Sequence, residues 1–127
     1  MILIGDKNIE CEKIEKIVNI EDIASTSPNS TLLYSFNINI LQYTQKNNLA
    51  SAVVVNSLKE VIYASSFMAK YIIVQKDIVQ NAQDIVNNYM LDSKILIIIN
   101  SDEEIVQNAL NEIDGVIYKK VVENGTK

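Results

Sequence analysis

The chain has 127 residues, enough for one hydrophobic core, and 48% hydrophobic against 21% charged residues marks a folding chain rather than a disordered one. A net charge of −5 opposes binding to a polyanion, and all 11 basic residues are lysines, so no guanidinium fork can read phosphate or guanine and nucleic-acid recognition is not expected. With no histidine and one cysteine, Ser-His-Asp and Cys-His catalysis, an internal disulfide and a thiolate metal cluster are all excluded.

In chain order, Met1–Ile4 and Ile9–Cys11 flank Gly5-Asp6-Lys7-Asn8 and read as a β-hairpin around a turn. A short extended piece near Ile17 and one helical turn at Glu21–Ala24 follow. Ser25-Thr26-Ser27-Pro28-Asn29-Ser30 then makes a loop inside one domain, because residues 1–30 are too few to fold alone. From residue 31 to 120 the chain alternates apolar runs with helical periodicity. The expected strands are Thr31–Ser35, Ala52–Val55, Tyr71–Val74, Ile95–Ile99 and Val116–Tyr118, rich in Val and Ile and nearly continuous, as for parallel strands covered on both faces.

Helices are expected at roughly 38–47 and 57–68. Two clearer stripes follow: Ile78, Ala82, Ile85, Val86, Tyr89 and Met90, then Ile105, Val106, Ala109, Leu110 and Ile113. The βαβαβαβαβ order implies a parallel sheet with right-handed crossovers. Two strands end in Asn-Ser with a glutamate three residues after the serine, Asn56-Ser57…Glu60 and Asn100-Ser101…Glu104. This is the capping-box pattern, so Ser57 and Ser101 are expected to begin helices.

The stretches SLKEVIYASSFMAKYIIV and SDEEIVQNALNEIDGVIY resemble successive βα units of (β/α)8 barrels, above all the phosphate-binding kind, where "S-x-E-E-A…A…G-A-D-Y-I-I-V" recurs. Asp114-Gly115 before Val116-Ile117 looks like the last strand of such a barrel, and the chain is similar to small bacterial proteins that carry about half of one. The resemblance covers roughly residues 31–118 and implies an architecture: about five parallel strands alternating with helices in half-barrel arrangement, after the N-terminal hairpin, in a single domain 1–127. A doubly wound, flavodoxin-like sheet is the alternative.

The phosphate site of those barrels does not carry over. Their last loops are glycine-rich so that backbone amides can approach the phosphate. Here the last strand runs into Tyr118-Lys119-Lys120-Val121-Val122, and the only glycines are Gly5, Gly115 and Gly125, with Gly115 assigned to the turn out of the preceding helix.

Ligands of parallel sheets bind beyond the carboxyl ends of the strands. Those positions hold Ser35, Asn37, Asn56, Ser57, Gln75, Lys76, Asn100, Ser101 and Lys119, a polar and mostly neutral ring suited to a small polar or anionic molecule, although the same residue types also cap strands and start helices. Lys76 or Lys119, with Asp77 as proton shuttle, is the one enzymatic arrangement the residues allow: a desolvated lysine forming a Schiff base, as in class I aldolase barrels. A phosphoryl-accepting receiver is rejected, since Phe36-Asn37-Ile38-Asn39 lacks its acidic pair and the third strand ends in Gln75. Asp102-Glu103-Glu104 lacks the spacing of a calcium loop and fits a solvated first helical turn. No metal and no cofactor are expected.

No apolar run is long enough to span a bilayer, and MILIGDKNIECEK has no basic region before its apolar stretch, so neither a membrane span nor a secretory signal is expected and the location is read as cytoplasmic. The expected protein is non-enzymatic and acts through oligomerisation and the binding of a small polar ligand or a protein. A lysine-dependent lyase is the alternative. A dimer is expected because five strands, apolar on both faces, would leave their concave face to water unless a second copy covered it.

Overall fold

The computed structural model describes residues 1–126. The five strands expected from residue 31 onward are present, each within a residue of its sequence-based bounds: β3 (Thr31–Ser35), β4 (Ser51–Val54), β5 (Tyr71–Val74), β6 (Lys94–Ile99) and β7 (Gly115–Tyr118). The sheet nevertheless has seven strands, because residues 1–30 contribute β1 (Ile2–Ile4) and β2 (Ile14–Lys16). All pairings are parallel and the order is β1-β7-β6-β5-β4-β3-β2, so the first two strands stand at opposite edges.

This overturns the N-terminal hairpin. The turn itself forms, with the Asn8 amide donating to Asp6 Oδ1 at 2.8 Å, but β1 pairs with β7 and β2 with β3. The turn residues encode a change of direction and not the partner, which for β1 lies more than a hundred residues away. A sequential order with no reversal also rules out the doubly wound alternative.

Four helices alternate with the last five strands: α1 (Ile38–Lys46), α2 (Leu58–Ser66), α3 (Val79–Asn88) and α4 (Glu103–Leu110). A 3₁₀ helix, Ile20–Ser25, sits where one helical turn was expected. Right-handed crossovers place α1 to α4 on the outer face of the sheet. There Leu32, Tyr34, Val53, Ile72, Val74, Ile95, Ile97 and Val116 pack against Ile40, Leu41, Val61, Ala64, Ala82 and Val86. Tyr34 ties this layer together, its hydroxyl bonding Ser51 at 2.8 Å and Thr44 at 3.2 Å, and burial pushes its phenol pKa up.

The inner face is a second core. Ile4, Ile14, Leu33, Ala52, Tyr71, Ile73, Leu96 and Ile117, at least one from every strand, are buried together with Val121. Edge strands can share a core with the central ones only if the sheet curls, and it does, into a half-barrel. One register row runs Ile2–Gly115–Leu96–Ile73–Val54–Ser35 across six strands. Gly115 belongs to this row and not to the turn before it. A Cβ there would stand 2.6 Å from Ile2 and 2.7 Å from Leu96, so glycine lets β1 and β6 close in on the inner side. The turn out of α4 is made instead by Glu112, at φ 61°.

No helix was expected after the last strand, yet the segment after β7 turns into α5 (Lys119–Asn124), and Val121 from this helix caps the inner core. The concave face that seemed to require a second copy is therefore buried within one chain, and the ground for expecting a dimer is gone.

Each outer helix ends the same way. Asn48, Met68, Met90 and Glu112 adopt positive φ (50° to 65°) just past their helices. In each case the next amide reaches back five residues: Leu49 to Thr44, Ala69 to Ala64, Leu91 to Val86 and Ile113 to Asn108, at 2.9 to 3.1 Å. These are four successive Schellman motifs, with a non-glycine residue in the left-handed position each time. Met90 is 88% exposed, so it bears the backbone strain without packing in return.

Two stability changes follow. Ile73→Ala, in a fully buried inner position, should lower the unfolding free energy by about 2–5 kcal/mol in a denaturant titration. Met90→Gly should raise it, by up to about 1 kcal/mol, because glycine relieves the left-handed backbone while no buried contact is lost. Equal stability of Ile73→Ala and its parent would contradict the inner core; destabilisation by Met90→Gly would contradict the strain.

Candidate functional site

The nine residues of the expected ring stand at the carboxyl ends of the strands and all are exposed. Most are engaged in starting helices. Asn37 Oδ1 accepts from the Ile40 amide at 3.1 Å and Ser57 Oγ from the Glu60 amide at 3.2 Å. Glu60 reaches back to the Asn56 amide at 2.9 Å, one residue earlier than in the standard capping box. In the second copy only the glutamate half forms: Glu104 Oε2 accepts from the amides of Asn100 (2.7 Å) and Ser101 (3.1 Å), while Asp102 occupies the cap position. Gln75 accepts the Ile78 amide through its carbonyl at 3.3 Å. Lys76 and Lys119 extend into solvent, and none of the nine lines any of three cavities, of about 730, 390 and 400 Å³.

The largest of these three cavities lies at the seam between the two edge strands. β1 and β2 do not pair, and residues 5–13 connect the carboxyl end of β1 to the amino end of β2 without a helix. This loop forms one wall, with Gly5, Asp6, Glu10, Cys11 and Lys13; α5 and the residues after it form the other, with Lys120, Val121, Asn124, Gly125 and Thr126. The cleft between them has a volume of about 730 Å³.

Two glycines make the seam possible. Gly5 has φ +98°, and a Cβ there would lie 2.7 Å from Val121 Cγ2. Gly125 has φ +74°, and a Cβ there would lie 2.7 Å from the Ile14 carbonyl oxygen. The Thr126 amide donates to that carbonyl at 2.8 Å, and the Ile14 amide donates to Thr126 Oγ1 at 2.7 Å. The end of the chain thus satisfies the open edge of β2.

Each end of the seam is fixed by a polar cluster. At the amino ends of the strands, Glu12 accepts from Lys70 Nζ at 2.6 Å, from Thr31 Oγ1 at 2.5 Å and from the Tyr71 hydroxyl. Partial burial raises the Glu12 pKa, but these hydrogen bonds and the Lys70 charge outweigh it and hold the carboxyl below its usual range. Burial, reinforced by the Glu12 carboxylate, pushes the Tyr71 phenol up. At the other end the Tyr118 hydroxyl donates to Asp102 and, at 3.4 Å, to Asp6, and these bonds raise its pKa. Lys120 Nζ stands 5.9 Å from the Tyr118 ring centre.

The cleft therefore offers two amines, two carboxylates, an amide and a hydroxyl around a floor of Gly5, Val121 and Gly125. Groups of this kind can bind and orient a polar molecule, and no imidazole is present to act as a base at neutral pH. Sequence reasoning missed the cleft because its walls are irregular backbone, and only the scarcity of glycine pointed to it: two of three glycines in the chain flank the seam. Among the described residues no helix is long and apolar enough to cross a membrane, and no group of three acidic or thiol side chains is placed to hold a metal ion. No protein-family model matches the chain, and no curated protein matches it.

The Glu12 cluster makes a pH-dependent prediction. A carboxylate held below its ordinary pKa in the folded state adds stability at neutral pH, and this stability is lost as pH falls through the folded pKa. Unfolding free energy should decline below about pH 4.3, and Glu12→Gln should lower it at pH 7 by about 1–3 kcal/mol while flattening the acid-side decline. Chemical denaturation at a series of pH values measures both; an unchanged acid-side slope in the variant would exclude Glu12 as its source.

Proposed function

We propose that the protein is a non-enzymatic binding protein that holds a small polar molecule in the seam cleft. The cleft volume carries this reading: about 730 Å³ lies well inside the range of small-molecule sites, about 300–1,000 Å³, and is nearly twice that of two further cavities, of about 390 and 400 Å³. Lys120 suits an anionic group, supported from the opposite wall by the charge of Lys13, whose ammonium donates to Ser27 Oγ at 2.8 Å, while Asp6, Glu10 and the Asn124 side-chain carbonyl accept from donors. The fitting ligand is a small molecule bearing both, of the size of an amino acid or a hydroxy acid. A Schiff-base lyase has less support: its lysine must be desolvated to react as an amine at neutral pH, and Lys76 and Lys119 are both exposed.

Cys11 gives a local reporter, because it is the only cysteine, is exposed and lines the cleft. A panel of amino acids, hydroxy acids and sugar phosphates should contain members that raise the thermal midpoint and slow alkylation of Cys11 by iodoacetamide. Lys120→Ala should weaken the binding of such a member by about tenfold, the loss of one charge-assisted contact. If no compound does both, or if Lys120→Ala leaves the affinity unchanged, the cleft is not the binding site.

A further inference from the structure

We propose that the outward face of α4 docks an amphipathic helix carrying basic residues. The proposal stands apart from the seam cleft and rests on how α4 sits on the sheet. This helix has no buried residue. Its inner side is Glu104, Ile105 and Asn108, which are half-buried, with Ile105 against the outer core. At about 100° per residue, Val106 and Leu110 project from the opposite side, one helical turn apart. They are 65% and 72% exposed. Single apolar residues on a surface need no explanation, but a helix that turns a valine and a leucine outward and an asparagine inward is built against the usual amphipathic rule.

The exposure has a topological cause. α1, α2 and α3 each have a following helix in the outer layer, whereas after β7 the chain leaves that layer and α5 goes to the seam. α4 is therefore the terminal helix of the layer.

Charge selects the occupant. Asp102, Glu103 and Glu112 are exposed at the two ends of α4, and no lysine occurs between Lys94 and Lys119. A second copy docking through the same face would set these acids against their equivalents, and an anionic lipid surface would be repelled in the same way. A helix with leucine-like residues on one face and lysine or arginine along its borders meets the apolar pair and the acids together.

The test uses the full chain labelled with ¹⁵N and a synthetic peptide of about 18 residues, five helical turns, built from leucine and lysine with the leucines on one face. A control peptide keeps the leucines and replaces every lysine with glutamate. The lysine peptide should shift the amide resonances of Glu103–Asn111, with affinity that falls as salt is added. Val106→Ser/Leu110→Ser should weaken it by about tenfold or more and leave the thermal midpoint unchanged, since neither side chain supports the fold. Absence of binding, equal binding of the glutamate peptide, shifts confined to other elements, or an unaffected double variant would each overturn the proposal.

Discussion

An all-parallel sheet that is apolar on both faces must be covered twice, and in this chain the inner covering hinges on a gap. β1 and β2 lie at opposite edges of the curled sheet and never pair, so the inner core formed by Ile4, Ile14, Leu33, Ile73, Leu96 and Ile117 would open to water along that line. The end of the chain fills it. α5 is six residues long, about 9 Å, and touches one edge through Val121 against Gly5 and the other through Gly125 and Thr126 against Ile14. A segment this short reaches both edges only because the sheet is curled. Curling, the packing of Val121 and the capping of the β2 edge are one arrangement, and an open β2 edge would be a template for pairing with another chain.

The same arrangement explains where the polar chemistry lies. In the regular part of the structure, polar side chains are spent on structure: Asn37 and Ser57 cap helices, Gln83 accepts the Asp114 amide, and Asp114 accepts the Ile95 amide, joining α3, β6 and β7. Among the described residues no buried side-chain nitrogen or oxygen lacks a partner. At the seam, by contrast, two irregular segments face each other without a ladder, and lysines, carboxylates, an amide and a hydroxyl line the space left between them. Binding groups gather where a rigid scaffold holds irregular backbone.

Much of this fold was legible in the sequence, and the failures have physical causes. β3 to β7 were legible because strands buried on both faces read as unbroken Val/Ile runs, and the helices between them because of their 3.6-residue period. β1 was read as a strand at Met1–Ile4 but with the wrong partner, and β2 only as a short extended piece near Ile17, because strands of three residues carry little pattern and their partners are set by the closure of the whole sheet. The count of five strands then led to an exposed concave face and a second copy to cover it. Hydrophobic periodicity also shows that a helix has an apolar stripe without showing that a neighbour exists to bury it. Tyr89, Met90, Val106 and Leu110 were read as core-facing and are among the most exposed apolar side chains. The carboxyl-end ring was placed where the sequence put it, but the cleft lies at a seam that exists only once the sheet has curled.

The seam closure can be read one amide at a time by native-state hydrogen exchange. If the end of the chain is part of the folded core, the Ile14 and Thr126 amides, which bond to Thr126 Oγ1 and to the Ile14 carbonyl, should exchange only through large-scale unfolding, with protection close to that of the Ile73 amide at the sheet centre. Exchange of Ile14 and Thr126 at the rate of an unstructured peptide, while Ile73 stays protected, would show that the seam stands open and that the inner core is closed by something other than α5.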